Sequence, residues 1–411
     1  MTSVPSTPNT PANKQLLSPI ERDYEKAISK LEASIQSAKI ENADSLLEFA
    51  KAIFAHNPTA DWLGLESHSL ILSLQRFKDF VSSFSEQHKS YVIPVFNGES
   101  VDTGSLETNP FTQVMQKSQV EASEIAEIEP ETEIMVLSQD MPFIVDSLRI
   151  LMNQEQLNVI RQLYSVVITT RENGRLISVK STSKLEENQL EPNQALEAAM
   201  YLQVKESLDE SQRAAVEEKV NKILKEVRAT NNDFGHMLDK CHNLAAQYEK
   251  LAASSIEDPA KAQREGMPAS ETAAFLRWIA NDHFVFLGAR AYKYVNGVAV
   301  PEKGGDLGWL KADPSVDLQE EVPLRLIGDQ SLYFAKSATV GRIHRPAYPD
   351  ILRVIEVDSQ GQRTGEIRFV GLYTAAVYRT SVRNIPIVRT LAANIANESH
   401  FLMSGYDGKF L

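Results

Sequence analysis

The pattern of apolar residues between positions 134 and 207 constrains the fold of this 411-residue chain more than any other feature. It contains six stretches. Each has either the two-residue repeat of a strand or the repeat of a helix with one buried face. In order, they are a strand at 134–138, a helix opened by Pro142, strands at 159–169 and 176–182, a short helix at 194–199 and a strand at 200–204. Asn173-Gly174 separates the second and third strands, and this dipeptide favours the positive φ angles of a tight hairpin.

This order is the split-βαβ, or ferredoxin-like, plan. In the third strand Ile177 and Val179 alternate with polar residues, so we expect both to face a core. Many unrelated proteins share the plan, which therefore predicts a fold and no function.

Helical periodicity dominates on both sides of this module. Residues 44–55 and 61–85 read as helices, and residues 91–96 as a strand. Residues 210–251 carry two apolar stripes that Asn231-Asn232 separates, which predicts two helices packed as a hairpin. The glutamate-rich run at 121–133 has no basic residue, and we interpret it as a solvated loop.

The C-terminal region mixes helices and strands. It begins with a helix at 270–282, capped by Ser270, and ends with one at 386–397. Between them, 351–358 and 366–374 form a predicted hairpin. Its apolar residues match across the strands, and Glu356 is expected to pair with Arg368.

The sequence therefore predicts an α+β protein with five segments. They are a disordered tail (1–17), a helical cap (18–88), the ferredoxin-like module (89–208), a helical hairpin with its linker (209–268), and a second α+β module (269–411).

Composition limits the partners of the chain. The formal net charge of −13 repels phosphate backbones and anionic lipids, which argues against nucleic-acid and membrane partners. The single cysteine, Cys241, fits a reducing compartment, and the polar N-terminus lacks the regions of a secretory signal. We therefore expect a cytoplasmic protein.

No pattern of residues predicts a catalytic or metal site. The glycines include neither the G-x-G-x-x-G spacing of dinucleotide sites nor a P-loop. His236 and His242 flank Cys241, but on a helix they point away from its apolar stripe, so a buried structural cysteine is favoured over a metal ligand. Asp282-His283 has the outline of a catalytic dyad, and a hydrogen-bonding or capping role is favoured.

A basic segment at 341–346 contains Arg342, His344 and Arg345, with Arg353 nearby. Arginine recognises carboxylates and phosphates through its planar fork, which makes a small anionic effector one interpretation. Salt bridging between domains of an acidic protein is the other, and we favour it.

Five segments, taken in order, resemble one family. They read DMPFIVDS (140–147), FLRWIANDHFVFLG (275–288), HRPAY (344–348), GEIRFVGLYT (365–374) and IP (385–386). The family is that of the large bacterial NAD-specific glutamate dehydrogenases, and the resemblance covers about residues 91–408. Residues 1–90 match only loosely.

The resemblance implies ACT-like regulatory modules at the N-terminal end of a much longer, oligomeric enzyme. That enzyme converts L-glutamate, NAD+ and water into 2-oxoglutarate, ammonia and NADH. Its glutamate and NAD sites are expected downstream, so we predict that this chain alone binds no NAD and is inactive. The remainder of the dehydrogenase and further copies of the chain are the implied partners.

We expect an amino-acid effector to bind where a strand end meets a helix N-terminus at 140–147, although Asp140 and Pro142 would serve equally well as helix caps. The candidate effector or interface residues are Asp140, Pro142, Phe143, Asp146, Ser147, His283, Arg342, His344 and Arg345. A free-standing binding module and a purely structural scaffold are the alternative functions.

Overall fold

The computed structural model describes residues 19–40, 42–55, 57–59, 62, 67–83, 90–96, 99–100, 131–182, 190–254, 268–318 and 330–398. Helices and antiparallel sheets form an α+β fold, as the sequence predicts. Contacts divide the chain into two compact units. Unit 1 is Met1–Asp140 with Leu157–Glu217, and unit 2 is Met141–Gln156 with Glu218–Leu411. The tail at 1–17 and residues 258–267 of the predicted linker lie outside the described residues.

In its described residues, unit 1 combines three helices with one sheet of six strands. The helices are α1 (Pro19–Ser37), α2 (Ala43–Phe54) and α3 (Ser67–Ser82). The strands are β1 (Ser90–Phe96), β2 (Glu99–Ser100), β3 (Glu131–Gln139), β4 (Val159–Glu172), β5 (Arg175–Ser181) and β6 (Gln194–Val204). Their order in the sheet is β2-β1-β3-β6-β4-β5, with every neighbouring pair antiparallel.

The helix predicted at 194–199 is wrong, because β6 covers this stretch. Its alanines and leucine favour a helix in isolation, but β6 pairs with β3 on one side and β4 on the other. Every residue from Glu197 to Val204 is buried. Burial in the centre of a sheet therefore overrides local propensity.

The β4–β5 hairpin is confirmed, with Asn173 at φ 50° and Gly174 at φ 79°. The expected inward position of Ile177 is wrong, because this side chain is 55% exposed. The ladder pairs Thr170 with Ser178 and then Arg171 with Leu176, so Ile177 is the extra residue of a bulge. A bulge shifts the alternation of side chains by one, and Val179 still packs against the core.

The helices of unit 1 pack on the sheet through aromatic residues. Phe54 and Trp62 stack with ring centroids 4.0 Å apart, and Phe49 meets Phe77 edge to face at 5.5 Å. These rings belong to a core that continues into β3, β4 and β6. The predicted helical cap thus supplies most of the buried residues of this core.

A buried polar network ties α3 to β3. The Glu133 carboxylate, fully buried, accepts hydrogen bonds from Ser73 (2.6 Å), Arg76 (2.6 and 2.9 Å) and Tyr201 (2.7 Å). Burial, followed by the charge of Glu133, raises the pKa of Tyr201. The interpretation of 121–133 as a solvated loop is therefore wrong for residues 131–133, and residues 121–130 lie outside the described ranges.

Asn57 takes the place of a neighbouring strand beside Tyr164. Its side-chain oxygen accepts from the Tyr164 N–H at 3.0 Å, and its amide nitrogen donates to the Tyr164 carbonyl at 3.0 Å. The same nitrogen lies 2.7 Å from the Ile53 carbonyl at the end of α2. One side chain therefore satisfies a backbone position of β4 and holds α2 against it.

The part of unit 2 that the structure describes contains five α-helices and a second sheet. The helices are α4 (Ile144–Gln154), α5 (Glu210–Ser254, which runs from unit 1 into unit 2), α6 (Ala269–Trp278), α7 (Trp309–Ala312) and α8 (Val388–Glu398). The strands are β7 (Phe284–Val295), β8 (Val298–Pro301), β9 (Leu307–Gly308), β10 (Leu332–Lys336), β11 (Asp350–Val357) and β12 (Arg363–Tyr373). The sheet order is β10-β11-β12-β7-β8, and β9 pairs with β7.

The predicted helical hairpin is wrong, because α5 is one continuous helix of 45 residues. Asn231 lies inside it, and its side-chain amide donates to the Val227 carbonyl one turn earlier at 2.9 Å. Asparagine in a helix costs under about 1 kcal/mol, which long buried stripes on both sides easily outweigh. In unit 2 the second stripe, from Met237 to Tyr248, joins the core with α6 and the sheet.

The β11–β12 hairpin is confirmed, but its predicted register is wrong. Ile355 lies opposite Glu366, because the turn lies earlier in the chain than predicted: β11 ends at Val357 and β12 already begins at Arg363. The Glu366 carboxylate therefore bonds to Arg353 (2.5 Å), Arg368 (2.7 Å) and Tyr294 (2.7 Å). All of Glu366 is buried, so the predicted Glu356–Arg368 pair is replaced by an internal network.

Helix α6 begins at Ala269, and Pro268 occupies the cap position that we predicted for Ser270. It ends at Trp278, where a π-helical turn, Ile279–His283, leads into β7. None of the helices in the described residues is long and apolar enough to cross a membrane.

Replacing Glu133 by Gln should destabilise unit 1 strongly, because the Arg76 guanidinium would remain buried without its counter-charge. We expect a loss of about 3–5 kcal/mol in chemical denaturation. Glu155→Gln is the matched control, since its ion pair with Lys219 is partly exposed and should be worth about 0–1 kcal/mol. A double variant, Arg76→Leu with Glu133→Leu, should recover much of the loss. Equal stability of Glu133→Gln and the control would contradict the role of the network.

Candidate functional site

Asp140 is the last residue of the first stretch of unit 1, whereas the next sixteen residues belong to unit 2. Its carboxylate accepts a hydrogen bond from the Tyr164 hydroxyl at 3.2 Å, and its N–H donates to the Leu196 carbonyl. Burial, and then the charge of Asp140, raise the pKa of Tyr164 to about 12. Within unit 1, then, Asp140 joins the end of β3 to β4 and β6.

The N-terminus of α4 has no side-chain cap. The helix begins at Ile144, Pro142 lies in the turn before it, and Phe143 holds the cap position at φ 77°. The expectation that Pro142 occupies the first helical position is therefore wrong. The Pro142 carbonyl instead accepts from the Asn231 side chain at 3.1 Å. Sequence reasoning assigned Asn231 to a hairpin turn and did not foresee this contact.

The basic segment folds back onto this helix N-terminus within unit 2. The His344 ring lies 4.9 Å from the Phe143 ring, and the His344 N–H is 3.4 Å from the Ser147 hydroxyl oxygen. The His344 Nδ1 atom lies 3.9 Å from an Asp146 carboxylate oxygen, too far for a hydrogen bond. Two motifs 200 residues apart in the chain are thus brought together. We call these four residues and Arg345 the α4 junction.

Two residues of the α4 junction have an unusual backbone. Phe143 at φ 77° and His344 at φ 70° are both left-handed, which costs non-glycine residues roughly 1–3 kcal/mol each. Such strain persists only where the surroundings enforce it, and it concentrates at functional sites. The geometry therefore marks the junction as a candidate site.

The junction contains a histidine with a shifted pKa. Burial, with a smaller contribution from the Arg345 charge, lowers the pKa of His344, and the nearby Asp146 opposes the shift. The His344 side chain keeps one third of its surface exposed. The imidazole is therefore mostly neutral near pH 7 and available to hydrogen-bond a ligand.

Arg342 forms ion pairs, but both partners lie in its own unit, so these pairs do not make the bridge between domains that we favoured from the sequence. Its guanidinium binds the buried Glu226 carboxylate at 2.7 and 2.8 Å and Asp313 at 2.5 Å. Burial opposes the ionisation of Asp313, but bonds from Ser315 and Lys222 outweigh it and lower the pKa of Asp313 to about 2. Glu226 interrupts the apolar stripe of α5, a signal that sequence reasoning missed.

Arg345 reaches the end of the second sheet. One of its terminal nitrogens donates to the Tyr373 carbonyl at 2.6 Å. Its Nε atom is buried and has no hydrogen-bond partner among the described residues. The guanidinium therefore keeps one N–H donor that is not used within the described residues.

His283 has a structural environment. Its Nδ1–H donates to the Trp278 carbonyl at 2.9 Å, and its ring stacks on Trp278 with centroids 4.2 Å apart. The Thr374 hydroxyl donates to the Asp282 carbonyl at 2.8 Å. These contacts support the hydrogen-bonding interpretation of Asp282-His283. The His283 carbonyl also accepts from the Thr374 N–H at 3.0 Å, next to the Tyr373 carbonyl that Arg345 binds.

Cys241 is fully buried, and its thiol donates to the Leu276 carbonyl at 3.4 Å. Burial raises the pKa of this thiol to about 12, which keeps it protonated. The described residues contain no cluster of three or more His, Cys, Asp or Glu side chains placed to hold a metal. The interpretation of Cys241 as a buried structural residue is confirmed.

Some of the resembling segments serve packing. A Cβ on Gly371 would lie 2.2 Å from the Val285 carbonyl oxygen and 2.4 Å from the Phe284 ring. A Cβ on Gly288 would lie 2.9 Å from the Leu310 side chain. These two glycines allow β7, β12 and the start of α7 to approach closely.

The lowered pKa of His344 predicts a pH dependence of stability. Because the folded protein binds this proton less readily than the unfolded chain, the contribution is complete above about pH 6.5 and lost as the pH falls below it. His344→Asn should therefore reduce the fall in melting temperature between about pH 7 and about pH 5. Exposed His236→Asn is the control for loss of an imidazole. An unchanged slope in His344→Asn would contradict the assignment.

Comparisons with known proteins agree on one family. Residues 49–220 match the model of the glutamate dehydrogenase ACT1 domain. An NAD-specific glutamate dehydrogenase from Halomonas elongata is 30% identical over 292 residues, and one from Pseudomonas aeruginosa is 31% identical over 296. Each alignment covers 68% of this chain and 17% of the relative. The relative from Mycobacterium tuberculosis is 26% identical over 194 residues, or 47% of this chain and 11% of its own length.

The chain therefore spans less than a fifth of the length of the relatives it matches. The ACT1 match ends within α5 and includes all six described strands of the unit 1 sheet. Together with the ordered motifs, these matches show that the chain carries a glutamate dehydrogenase ACT1 domain and is similar to a part of the large NAD-specific glutamate dehydrogenases.

Proposed function

We propose that the chain is the regulatory and assembly region of an NAD-dependent glutamate dehydrogenase. The observation that carries this proposal is the ACT1 match at residues 49–220 in a chain that spans 17% of its relatives' length. The names of those relatives point to NAD and glutamate as substrates of the whole polypeptide. That reaction converts L-glutamate, NAD+ and water into 2-oxoglutarate, ammonia and NADH. We assign it to the part of the polypeptide outside this chain. We expect that the 411-residue chain itself binds no NAD.

An amino-acid effector is the proposed ligand of the α4 junction. The first turn of α4 has no side-chain cap, so its N–H groups and the positive end of the helix dipole favour a carboxylate. Arg345 supplies a guanidinium with an unused Nε atom, and His344 supplies a neutral imidazole. Asp146, 57% exposed in its side chain, offers a counter-charge for an ammonium group. Both charges of an amino acid would therefore find partners.

Assembly is proposed to use the outer edge of unit 1. Strand β5 ends the sheet order, and the bulged Ile177 beside it is 55% exposed. An edge strand with an exposed apolar residue favours pairing with another strand. We propose that a second copy of the chain pairs there in a homo-oligomer. The single cysteine, reduced and buried, supports a cytoplasmic location for the assembly.

Two other functions fit some of the same observations. A free-standing binding module would respond to ligands without any longer polypeptide. A purely structural scaffold would self-associate and show no response to amino acids. The mass of the native protein in its source cells separates the first from our proposal: a mass far above 45.9 kDa supports a regulatory region, and 45.9 kDa alone supports the module.

The effector proposal predicts that one amino acid, or 2-oxoglutarate, raises the melting temperature of the chain when the candidates are added singly. When the ligand concentration is about 100 times its dissociation constant, binding raises the free energy of unfolding by about 2.7 kcal/mol. Arg345→Ala should abolish the response, because it removes the guanidinium that faces the carboxylate. Arg277→Ala is the matched control, since Arg277 is a partly exposed arginine paired with Glu249. If no candidate changes the melting temperature or the oligomeric state, the effector proposal is wrong.

A further inference from the structure

Helix α8 of unit 2 is oriented against the usual rule for amphipathic helices. Such a helix normally turns its apolar stripe towards the core and its polar residues towards solvent. In α8 the large apolar side chains are outside: Val388 is 38% exposed, Leu391 50% and Ile395 54%. Their spacing of three and four residues places them along one face.

The polar side of α8 attaches the helix to Glu271 of α6. Arg389 binds both oxygens of the Glu271 carboxylate, with distances of 2.5 and 3.1 Å, and Thr390 also bonds to it. Bonds from Arg389 and from the Ile387 N–H (2.8 Å) outweigh burial and lower the pKa of Glu271. A polar clamp therefore fixes the helix and leaves its apolar face outward.

The backbone before α8 enforces this orientation. Ile387 adopts φ 70°, which is a genuine outlier for a β-branched residue, and its side chain is buried in the core of unit 2. The strain persists because burial of Ile387 and its bond to Glu271 hold the chain there. The outward stripe is thus part of a well-determined local structure.

The stripe continues onto the preceding turns, which are basic. Val382 is 46% exposed and Tyr378 is 76% exposed. Residues 374–397 contain Arg379, Arg383 and Arg389 and no acidic residue, in a chain of net charge −13. We call Tyr378, Val382, Val388, Leu391 and Ile395 the α8 surface. Its charge complements an apolar partner with an acidic border.

The area of the α8 surface limits what can occupy it. A helix of 11 residues is about 16 Å long, so its face offers roughly 160 Å². A stable dimer usually buries about 800 Å² on each partner, which this face is too small to supply. A partner on the same polypeptide needs far less area, because tethering raises its effective concentration to about millimolar. The relatives contain such additional chain, since the alignments cover only 17% of their length.

We propose that the α8 surface is the docking site for the part of the dehydrogenase polypeptide outside this chain, through an apolar segment bordered by carboxylates. This inference rests on the proposed function, in that it takes the chain to be one region of a longer enzyme. It goes beyond that function by assigning the contact through which unit 2 meets the remainder. The effector site at the α4 junction is not required for it.

Hydrogen exchange tests the proposal in the longer polypeptide isolated from its source cells. Backbone amides at 388–395 should exchange at least about tenfold more slowly there than in the 411-residue chain, because docking removes them from solvent. Leu391→Asp with Ile395→Asp should restore fast exchange in the longer polypeptide. Val298→Asp is the matched control, since Val298 is a 60% exposed valine on a hairpin of the same unit and should leave the protection unchanged.

Three outcomes would overturn the proposal. Equal exchange in both polypeptides means that nothing outside the chain covers the surface. Protection in the 411-residue chain that rises with its concentration means that a second copy is the occupant. Protection that appears only with phosphatidylcholine vesicles containing phosphatidylserine means that a membrane occupies the surface. Each is measured without an effector, so failure here is distinguishable from an absent response to amino acids.

Discussion

A buried glutamate in each sheet is the constraint on which most of the structure depends. Glu133 in β3 and Glu366 in β12 have no exposed surface, and an unpaired carboxylate in such a place would cost several kcal/mol. Each is bound by arginine and by a tyrosine hydroxyl, from Arg76 and Tyr201 in one sheet and from Tyr294 with two arginines in the other. The partners of Glu133 fix α3 on its sheet. Those of Glu366 tie together three neighbouring strands.

The second network also explains an unfavourable row of charges. Arg353, Arg368 and Arg290 lie directly opposite one another across β11, β12 and β7, an arrangement in which like charges repel. Glu366 lies between the first two, Asp306 binds the third at 2.7 Å, and Arg368 stacks over the Tyr292 ring at 4.3 Å. The row of arginines in this sheet therefore depends on its hydrogen bonds to Glu366 and Asp306.

Local patterns were enough to predict the α+β class, most of the helices and strands, and both β-hairpins, because these features depend on neighbouring residues. What failed depends on distant ones. Residues 194–199 have helical propensity and become a strand only because β3 and β4 flank them. A bulge at Ile177 changed one register and the early start of β12 at Arg363 changed the other, and no residue type indicates either. For the candidate site, sequence reasoning selected Phe143, Ser147 and His344, but only the fold brings them together.

The amide of Asn57 has a consequence for how the sheet of unit 1 behaves among other chains. Strand β5 pairs with β4 only from Val167 onwards, so the preceding part of β4 is an open edge beside the pairing with β6. By occupying both backbone groups of Tyr164, Asn57 interrupts the ladder that an incoming strand would need. The Asn57 side chain thus blocks the pairing of another chain with this part of β4, which opposes intermolecular β-aggregation. Strand addition remains possible on the opposite side of the hairpin, along β5.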